Sequence, residues 1–307
     1  MQNYKKIWCF TRNPLSLYRK FQNKFMLVFD KKDALSHHLD TLRQPKTTLG
    51  FVPTMGALHQ GHLSLLAQSV VENDITVISI FVNPTQFNNP EDLEKYPRTL
   101  ESDIQKVGTI SPDILVYAPS VSDIYEGKTE SKSYSFEGLE HQMEGKFRPG
   151  HFDGVGTVVK KLFEIVTPTK AYFGEKDFQQ LQIVKKLVAK EQLPVDIVGC
   201  PVFREANGLA MSSRNERLSP TERQEAAIIY ATLQKTAVLF AKQSIAKTRK
   251  MVVDIFANNP LFHLEYFEIA EETTLKPALK KQKNRKYRAF IAVFANNVRL
   301  IDTISLN

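Results

Sequence analysis

The fold is decided by the segment TLGFVPTMGALHQGHLSLLAQSVV, residues 48–71. Its first five residues form a short β-rich run, and residues 63–71 carry leucine, alanine and valine at helical spacing. Between the run and the helical pattern lies a loop that contains Gly56 and Gly61. A strand, a glycine-containing loop and an amphipathic helix in this order are typical of a parallel βαβ unit.

The same alternation continues over residues 26–202, and it predicts a Rossmann-like, doubly wound parallel sheet of the α/β class. The predicted strands are 48–52, 75–82, 114–118, 170–173 and 195–201. A second, smaller α+β domain is predicted for residues 203–307. Its helical patterns and β-rich runs, with a hairpin turn at 295–297, are 221–241, 245–257, 264–270, 287–294 and 298–305.

The charge of the chain is concentrated at its start. The 307 residues carry 41 Lys and Arg against 33 Asp and Glu, a net charge of +8, and residues 1–25 hold six of these positive charges and no acidic residue. Residues 26–307 are therefore near neutral, which argues against a nucleic-acid partner. We expect residues 1–25 to be a basic, disordered extension. A transit peptide and a start at Met26 are the alternatives.

Cysteine content and hydropathy limit the cellular compartments in which we expect the protein. Only Cys200 lies beyond residue 25, so no disulfide framework is possible there. No apolar run reaches 18 residues. We therefore expect a cytoplasmic protein with no membrane partner.

The loop of residues 53–62 is placed for chemistry. In an open parallel sheet, ligands bind outside the carboxyl ends of the strands, and the free N–H groups of the following helix favour an anion. Gly56 and Gly61 allow close approach of a phosphate, and His59 and His62 can both donate hydrogen bonds to it. A two-histidine metal site is the alternative, although no third ligand is evident nearby.

Five further blocks extend this pattern in order along the chain. They are SIFVNPTQF (79–87), YPRT (96–99), RPGHFDGV (148–155), FGEKDFQQL (173–181) and REANGLAMSSRN (204–215). With the HxGH element His59 to His62, they resemble the nucleotidyltransferase superfamily, and specifically the pantothenate synthetase (pantoate–β-alanine ligase) family.

This resemblance implies an ATP-dependent ligation of D-pantoate with β-alanine to give pantothenate, AMP and diphosphate through a pantoyl adenylate. ATP is then a substrate, Mg²⁺ accompanies it, and the protein is a homodimer in the biosynthesis of a coenzyme A precursor. The alternative is another HxGH adenylyltransferase, such as a nicotinate-mononucleotide adenylyltransferase, which would lack the paired substrate glutamines.

The resemblance also implies roles for individual residues. The catalytic residues are His62, His59, Lys176 and Arg214, with His62 at the position usually called the proton donor. Pantoate and β-alanine are bound by Gln86, Gln180, Asn83 and Met55. The ATP-binding residues are Met55, Gly56, Ala57, Leu58, His59, Gln60, Gly61, His62, Gly174, Glu175, Lys176, Asp177, Phe203, Met211, Ser212, Ser213 and Arg214.

Several positions depart from the family pattern, and two of these departures bear on the ATP site. Family members often carry an acidic pair where this chain has Ser102 and Asp103, so Asp103 is the one candidate for a magnesium ligand in that segment. Phe203 replaces a smaller residue that usually contacts ATP through its backbone. We expect the added bulk of Phe203 to reshape that wall of the site.

Overall fold

The computed structural model describes the backbone of residues 17–21 and 24–307, and the side chains of residues 26–307 apart from Asp92. The strands are β1 (Leu17–Phe21), β2 (Lys24–Phe29), β3 (Leu49–Thr54), β4 (Ile75–Ile80), β5 (Leu115–Tyr117), β6 (Lys170–Gly174), β7 (Asp196–Cys200), β8 (Phe262–Glu271), β9 (Tyr287–Ala295) and β10 (Val298–Ser305). The α-helices are α1 (Lys32–Leu42), α2 (Gln60–Glu72), α3 (Pro90–Glu94), α4 (Leu100–Gly108), α5 (Val121–Tyr125), α6 (Met143–Phe147), α7 (His151–Val166), α8 (Phe178–Glu191), α9 (Pro220–Glu225), α10 (Ala227–Lys242) and α11 (Ile245–Ala257).

The large sheet has the strand order β1-β2-β5-β4-β3-β6-β7. Strands β2 to β7 pair in parallel, which confirms the predicted Rossmann-like sheet. The chain proceeds from β3 outward through β4 to β5 and then returns to the other side of β3 with β6. This reversal is the topological switch point at which sheets of this kind bind their ligands.

Strand β1 differs from the disordered extension that we expected for residues 1–25. It pairs antiparallel with β2 at the edge of the large sheet. Without β1, strand β2 would be an edge strand with a row of unpaired backbone N–H and C=O groups. Pairing with β1 satisfies these groups of β2. The rest of that expectation, for residues 1–16, 22 and 23, lies outside the described residues.

The large sheet is apolar on both faces because neighbouring residues of each strand point to opposite sides. One face packs with α1, α7 and α8, and the other packs with α2 and α4. Strand residues that alternate between the two cores are Phe51 and Val52, Val77 and Ile78, Leu115 and Val116, and Ala171 and Tyr172. Burial on both faces explains why these strands are continuous apolar runs in the sequence.

A separate antiparallel sheet of order β10-β9-β8 has its own core, shared with α10 and α11. The predicted hairpin between β9 and β10 is confirmed: Ala295 pairs with Val298, and Asn296 has a left-handed φ of 49°. None of the helices in the described part of the chain combines the length and apolar character needed to cross a membrane.

Candidate active site

The loop between β3 and α2 is shaped by one buried carboxylate. Asp103 on α4 accepts hydrogen bonds from the backbone N–H groups of Ala57 (2.9 Å) and Leu58 (2.8 Å) and from the Thr99 hydroxyl (3.1 Å). Gly56 and Ala57 have left-handed φ values of 84° and 49°. The strained turn at Ala57 is therefore held by a carboxylate that the sequence places 46 residues away.

These contacts argue against Asp103 as a magnesium ligand. The residue is fully buried and both of its carboxylate oxygens already accept hydrogen bonds. Among the residues that the structure describes, no group of three or more His, Cys, Asp or Glu side chains is arranged to hold a metal ion. Asp103 is a positioning residue for the loop, which corrects the role expected from the sequence.

We predict that Asp103→Ala lowers the free energy of unfolding by about 2–4 kcal/mol, because it leaves two buried N–H groups without acceptors. Urea unfolding of the variant and the parent protein measures this difference. Asp113→Ala is a suitable control, since Asp113 is exposed at the surface. A loss no greater than that of the control would contradict the loop-holding role.

Hydrogen bonds from the backbone set the tautomer of both histidines in the loop. The Nδ1 atom of His59 accepts a hydrogen bond from the N–H of Gly61 (3.1 Å), and the Nδ1 atom of His62 accepts from the N–H of His59 (3.4 Å). The rings stack with centroids 4.0 Å apart. Because Nδ1 is an acceptor in both rings, the proton of each neutral imidazole sits on Nε2. Both Nε2–H groups are thus donors at the N-terminus of α2.

Burial keeps both imidazoles neutral. Desolvation, followed by the positive charge of Lys176, lowers the pKa of His59 to about 4. Desolvation, followed by the neighbouring His59, lowers the pKa of His62 to about 3, and Lys176 and Lys106 act in the same direction. The positive charge of Lys176 therefore acts on both histidines. Lys106, whose Nζ donates to the Leu58 carbonyl (2.7 Å), was not anticipated.

The loop after β6 brings Lys176 to this crevice. Glu175 is held by Arg288 from β9 (3.1 Å), and the Arg288 guanidinium also lies 3.9 Å from the centre of the Phe178 ring. Within the described residues Lys176 forms no ion pair, so its charge is available to a ligand. Asp177 is exposed at the surface beside it. Of the predicted residues here, Glu175 anchors the loop through Arg288, and the charge of Lys176 acts on the histidines.

The Ser212 to Arg214 segment reaches the opposite side of the crevice. The Ser212 hydroxyl accepts a hydrogen bond from the Arg214 N–H (3.3 Å). Burial raises the pKa of the Tyr96 hydroxyl, and the positive charge of Arg214 acts to lower it. The charge of this segment therefore acts on the YPRT block that follows β4.

Phe203 forms part of the same wall. A Cβ atom at Gly61 would lie 3.7 Å from Phe203 Cβ, so the phenylalanine stands against the start of α2. The Phe203 carbonyl accepts the Met211 N–H (2.9 Å), and the side chain is 41% exposed. Gln60, also expected in the ATP site, is exposed on α2.

The predicted pantoate residues form one connected cluster and one separate residue. Gln86 donates to the Met55 sulfur (2.8 Å) and accepts from the Asn83 amide (3.2 Å), while Asn83 also donates to the Gly154 carbonyl (3.1 Å). Gln180 is half-buried in the first turn of α8, and its side chain forms no hydrogen bond to another described residue. Its amide is free to bind a ligand.

Two residues of the RPGHFDGV block, Arg148 and His151, connect to the Gln86 turn, and neither was predicted as a site residue. His151 is buried, its Nδ1–H donates to the Gln86 carbonyl (2.9 Å), and its Nε2 accepts from Arg148 Nη1 (3.3 Å). Desolvation and the Arg148 charge lower the His151 pKa to about 4. The signal available in the sequence was the block itself, but its spacing could not show that it meets Gln86.

The fold and this grouping define a Rossmann-like α/β enzyme with an anion-binding crevice at the switch point of its sheet. The model of the family described as pantoate-beta-alanine ligase matches residues 27–305. A pantothenate synthetase from Flavobacterium psychrophilum is 62% identical over 92% of this chain and 100% of its own length.

Solved structures agree with this match. A pantothenate synthetase from Thermus thermophilus superimposes with a TM-score of 0.83 at 37% identity, covering 91% of this chain and 99% of that one. A pantoate-beta-alanine ligase from Francisella tularensis, complexed with beta-gamma ATP and beta-alanine, gives a TM-score of 0.72 at 35% identity, covering 92% of this chain and 98% of that one. The chain belongs to the pantoate-beta-alanine ligase family, and it is a ligase of pantothenate biosynthesis. The alternative of another HxGH adenylyltransferase is not supported.

Proposed function

We propose that the chain activates D-pantoate with ATP and then transfers the pantoyl group to β-alanine, with the crevice residues above as its machinery. The observation that carries this proposal is the pair of neutral Nε2–H donors of His59 and His62 beside the charge of Lys176. Such donors stabilise phosphate oxygens as negative charge builds on them.

In the first step a pantoate carboxylate oxygen attacks the α-phosphorus of ATP. The bond from that phosphorus to the bridging oxygen breaks, and diphosphate leaves with the bonding electrons. Lys176 and Arg214 supply positive charge to the triphosphate, and the hydroxyls of Ser212 and Ser213 supply hydrogen bonds. Gln86 and Gln180 hold pantoate, with Asn83 and Met55 fixing Gln86.

In the second step the amine of β-alanine attacks the acyl carbon of the adenylate. The bond from that carbon to the phosphate oxygen breaks and AMP leaves. The nitrogen, which attacks as a neutral amine, loses one proton to solvent and keeps the other as the amide N–H. No enzyme nucleophile is required. Cys200 could be considered as a nucleophile, but it is buried, and desolvation raises the pKa of its thiol to about 11.

The histidines act as hydrogen-bond donors, because imidazoles with these lowered pKa values carry no extra proton at neutral pH. His62 therefore stabilises the departing diphosphate without transferring a proton to it. Magnesium enters with ATP as part of the substrate. Asp103 does not fit the role of a magnesium ligand, because its carboxylate holds the Ala57 turn.

Incubation of the purified full chain with MgATP, D-pantoate and β-alanine tests the proposal. We expect equimolar AMP, diphosphate and pantothenate, and exchange of labelled diphosphate into ATP that requires pantoate but not β-alanine. Formation of ADP instead of AMP, or exchange without pantoate, would contradict the adenylate route. A far-UV circular dichroism spectrum shows that the protein under test is folded.

We predict that the double variant Gln86→Ala/Gln180→Ala raises KM for pantoate about 100-fold, since two polar groups of the substrate lose their partners. KM for ATP should change by less than about threefold, because neither amide is placed at the phosphates. Gln105→Ala, on the exposed face of α4, is the matched control. Equal losses for pantoate and ATP would refute the pocket assignment.

We further propose that residues 203–307 form a domain that closes over ATP, and that the protein is a cytoplasmic homodimer. The position of Phe203 supports closure, because its Cβ atom lies 3.7 Å from a Cβ atom placed at Gly61 at the start of α2. The family resemblance supports the dimer and the compartment. Sedimentation equilibrium measures the oligomeric state, and a monomeric mass would contradict the dimer.

A further inference from the structure

Residues 212–214, which the proposed function assigns to the triphosphate, are followed by a buried polar side chain. Asn215 is 1% exposed, whereas the 212–214 segment itself is half-buried or exposed. The amide nitrogen of Asn215 donates hydrogen bonds to a carboxylate oxygen of Glu205 (2.7 Å) and to the Ala210 carbonyl (3.1 Å). Both N–H groups of this amide are therefore used, and they tie the end of the segment to the chain before it.

The chain before the segment, residues 203–211, forms a short hairpin on the second domain. Its two arms are joined by the Met211 N–H, which donates to the Phe203 carbonyl (2.9 Å). The Arg204 guanidinium binds both carboxylate oxygens of Asp302, a buried residue of β10, at 2.7 and 3.0 Å. A paired contact of this kind fixes orientation as well as distance. The hairpin therefore has a rigid attachment to the sheet of the second domain.

Glu205 links Asn215 to helix α9. Arg223 on α9 contacts both oxygens of this carboxylate, with Nε 2.8 Å from Oε2 and Nη2 3.0 Å from Oε1. The Glu205 side chain is 14% exposed, so water competes little for these contacts. Because Oε1 accepts from both Arg223 and Asn215, the three side chains form one connected unit.

A carboxylate next to a site for polyphosphate is costly unless its charge is offset. Burial lowers the pKa of His59, and the negative charge of Glu205 opposes this shift. The charge of Glu205 therefore acts at the start of α2, where it would also repel a phosphate. The two hydrogen bonds from Arg223 offset that charge. In this setting Glu205 serves as the acceptor that holds Asn215.

We propose that Glu205 is a positioning residue for the adenylation step: neutralised by Arg223, it holds Asn215 and thereby fixes residues 212–214 for the phosphates of ATP. This inference rests on the proposed function. Donors that are held in place before the ligand arrives stabilise developing charge best, because they do not have to reorganise in the transition state. Glu205 itself does not contact ATP and acts only through the 212–214 segment.

Glu205→Ala should lower kcat/KM for ATP about 30-fold in the pantoate-dependent exchange of diphosphate, the scale of a small misplacement of binding groups. KM for pantoate should stay within about threefold. Glu268→Ala is the matched control, because Glu268 is also half-buried and pairs with an arginine, Arg249, inside the second domain. Both variants should lower Tm, since each leaves an arginine without its partner. Equal losses of kcat/KM for ATP in the two variants would overturn the proposal.

A double-mutant cycle tests whether Glu205 acts through the 212–214 segment. In an Arg214→Ala background, Glu205→Ala should lower kcat/KM for ATP by no more than about threefold further, because a principal group that it positions is already absent. The parent protein and both single variants complete the cycle. Losses that simply multiply would show that Glu205 acts independently of the segment, which contradicts a positioning role.

A second pair of variants tests the part played by charge. Arg223→Gln leaves the Glu205 carboxylate without its cation and should raise KM for ATP about tenfold. Arg223→Gln/Glu205→Gln should restore a KM for ATP close to that of the parent protein, because the glutamine carbonyl still accepts from Asn215 and carries no charge. A double variant no better than Arg223→Gln would overturn the proposal. Absence of exchange in the parent protein would instead refute the proposed function.

Discussion

His62→Ala should lower kcat of the ligation by about 10³-fold, the scale of losing one donor that acts on charge developing in a transition state. The Nε2–H of His62 is the donor, and its Nδ1 atom is occupied by the His59 N–H. KM for pantoate should change far less, because the lost interaction forms with the departing diphosphate. Steady-state kinetics with saturating β-alanine measure both constants.

The same assignment fixes the pH dependence. The folded-state pKa values of about 3 for His62 and about 4 for His59 lie below the usual value for histidine, so the neutral donors persist until the pH falls toward 4. Between about pH 6 and pH 8, kcat should therefore show no loss from protonation of either histidine. His263→Ala, exposed on β8, is the control and should leave kcat unchanged. A kcat of the parent protein that falls tenfold per pH unit above pH 6, together with loss of this pH dependence in His62→Ala, would show that His62 donates a proton.

Lys176→Ala should lower kcat/KM for ATP by about 10³-fold, because the variant removes a cation that we propose binds the triphosphate and that has no ion-pair partner among the described residues. The charge of Lys176 lowers the pKa of both histidines, so it acts on the start of α2. Lys176→Arg should recover activity only in part, since a planar guanidinium replaces a compact ammonium. Initial rates at varied MgATP concentrations measure these changes.

Lys170 supplies a matched control on the same strand. It lies at the amino end of β6 and pairs with Glu72 (3.1 Å), whereas Lys176 follows the carboxyl end. Lys170→Ala should therefore leave kcat/KM for ATP within about twofold, as expected for a surface ion pair. Comparable losses in the two lysine variants would contradict a specific role for Lys176.

Much of the fold could be predicted because its signals are local. The strand, loop and helix of residues 48–71 follow from apolar periodicity, and all five predicted strands of the large sheet are present. Strands β1 and β2 were not predicted. Strand β1 has Arg19 and Lys20 in its centre, and pairing with β2 at the edge of the sheet makes it extended.

The sequence by itself determined the Rossmann-like class and the family, and it supplied the candidates for phosphate binding, since these depend on patterns along the chain. The tertiary structure alone decided the role of Asp103, which holds the Ala57 turn, and the connection of Arg148 through His151 to Gln86. Both depend on contacts between residues more than 40 positions apart. Hydrogen bonding and burial at that separation are set by packing of the helices on the sheet, which leaves no periodic signal in the sequence.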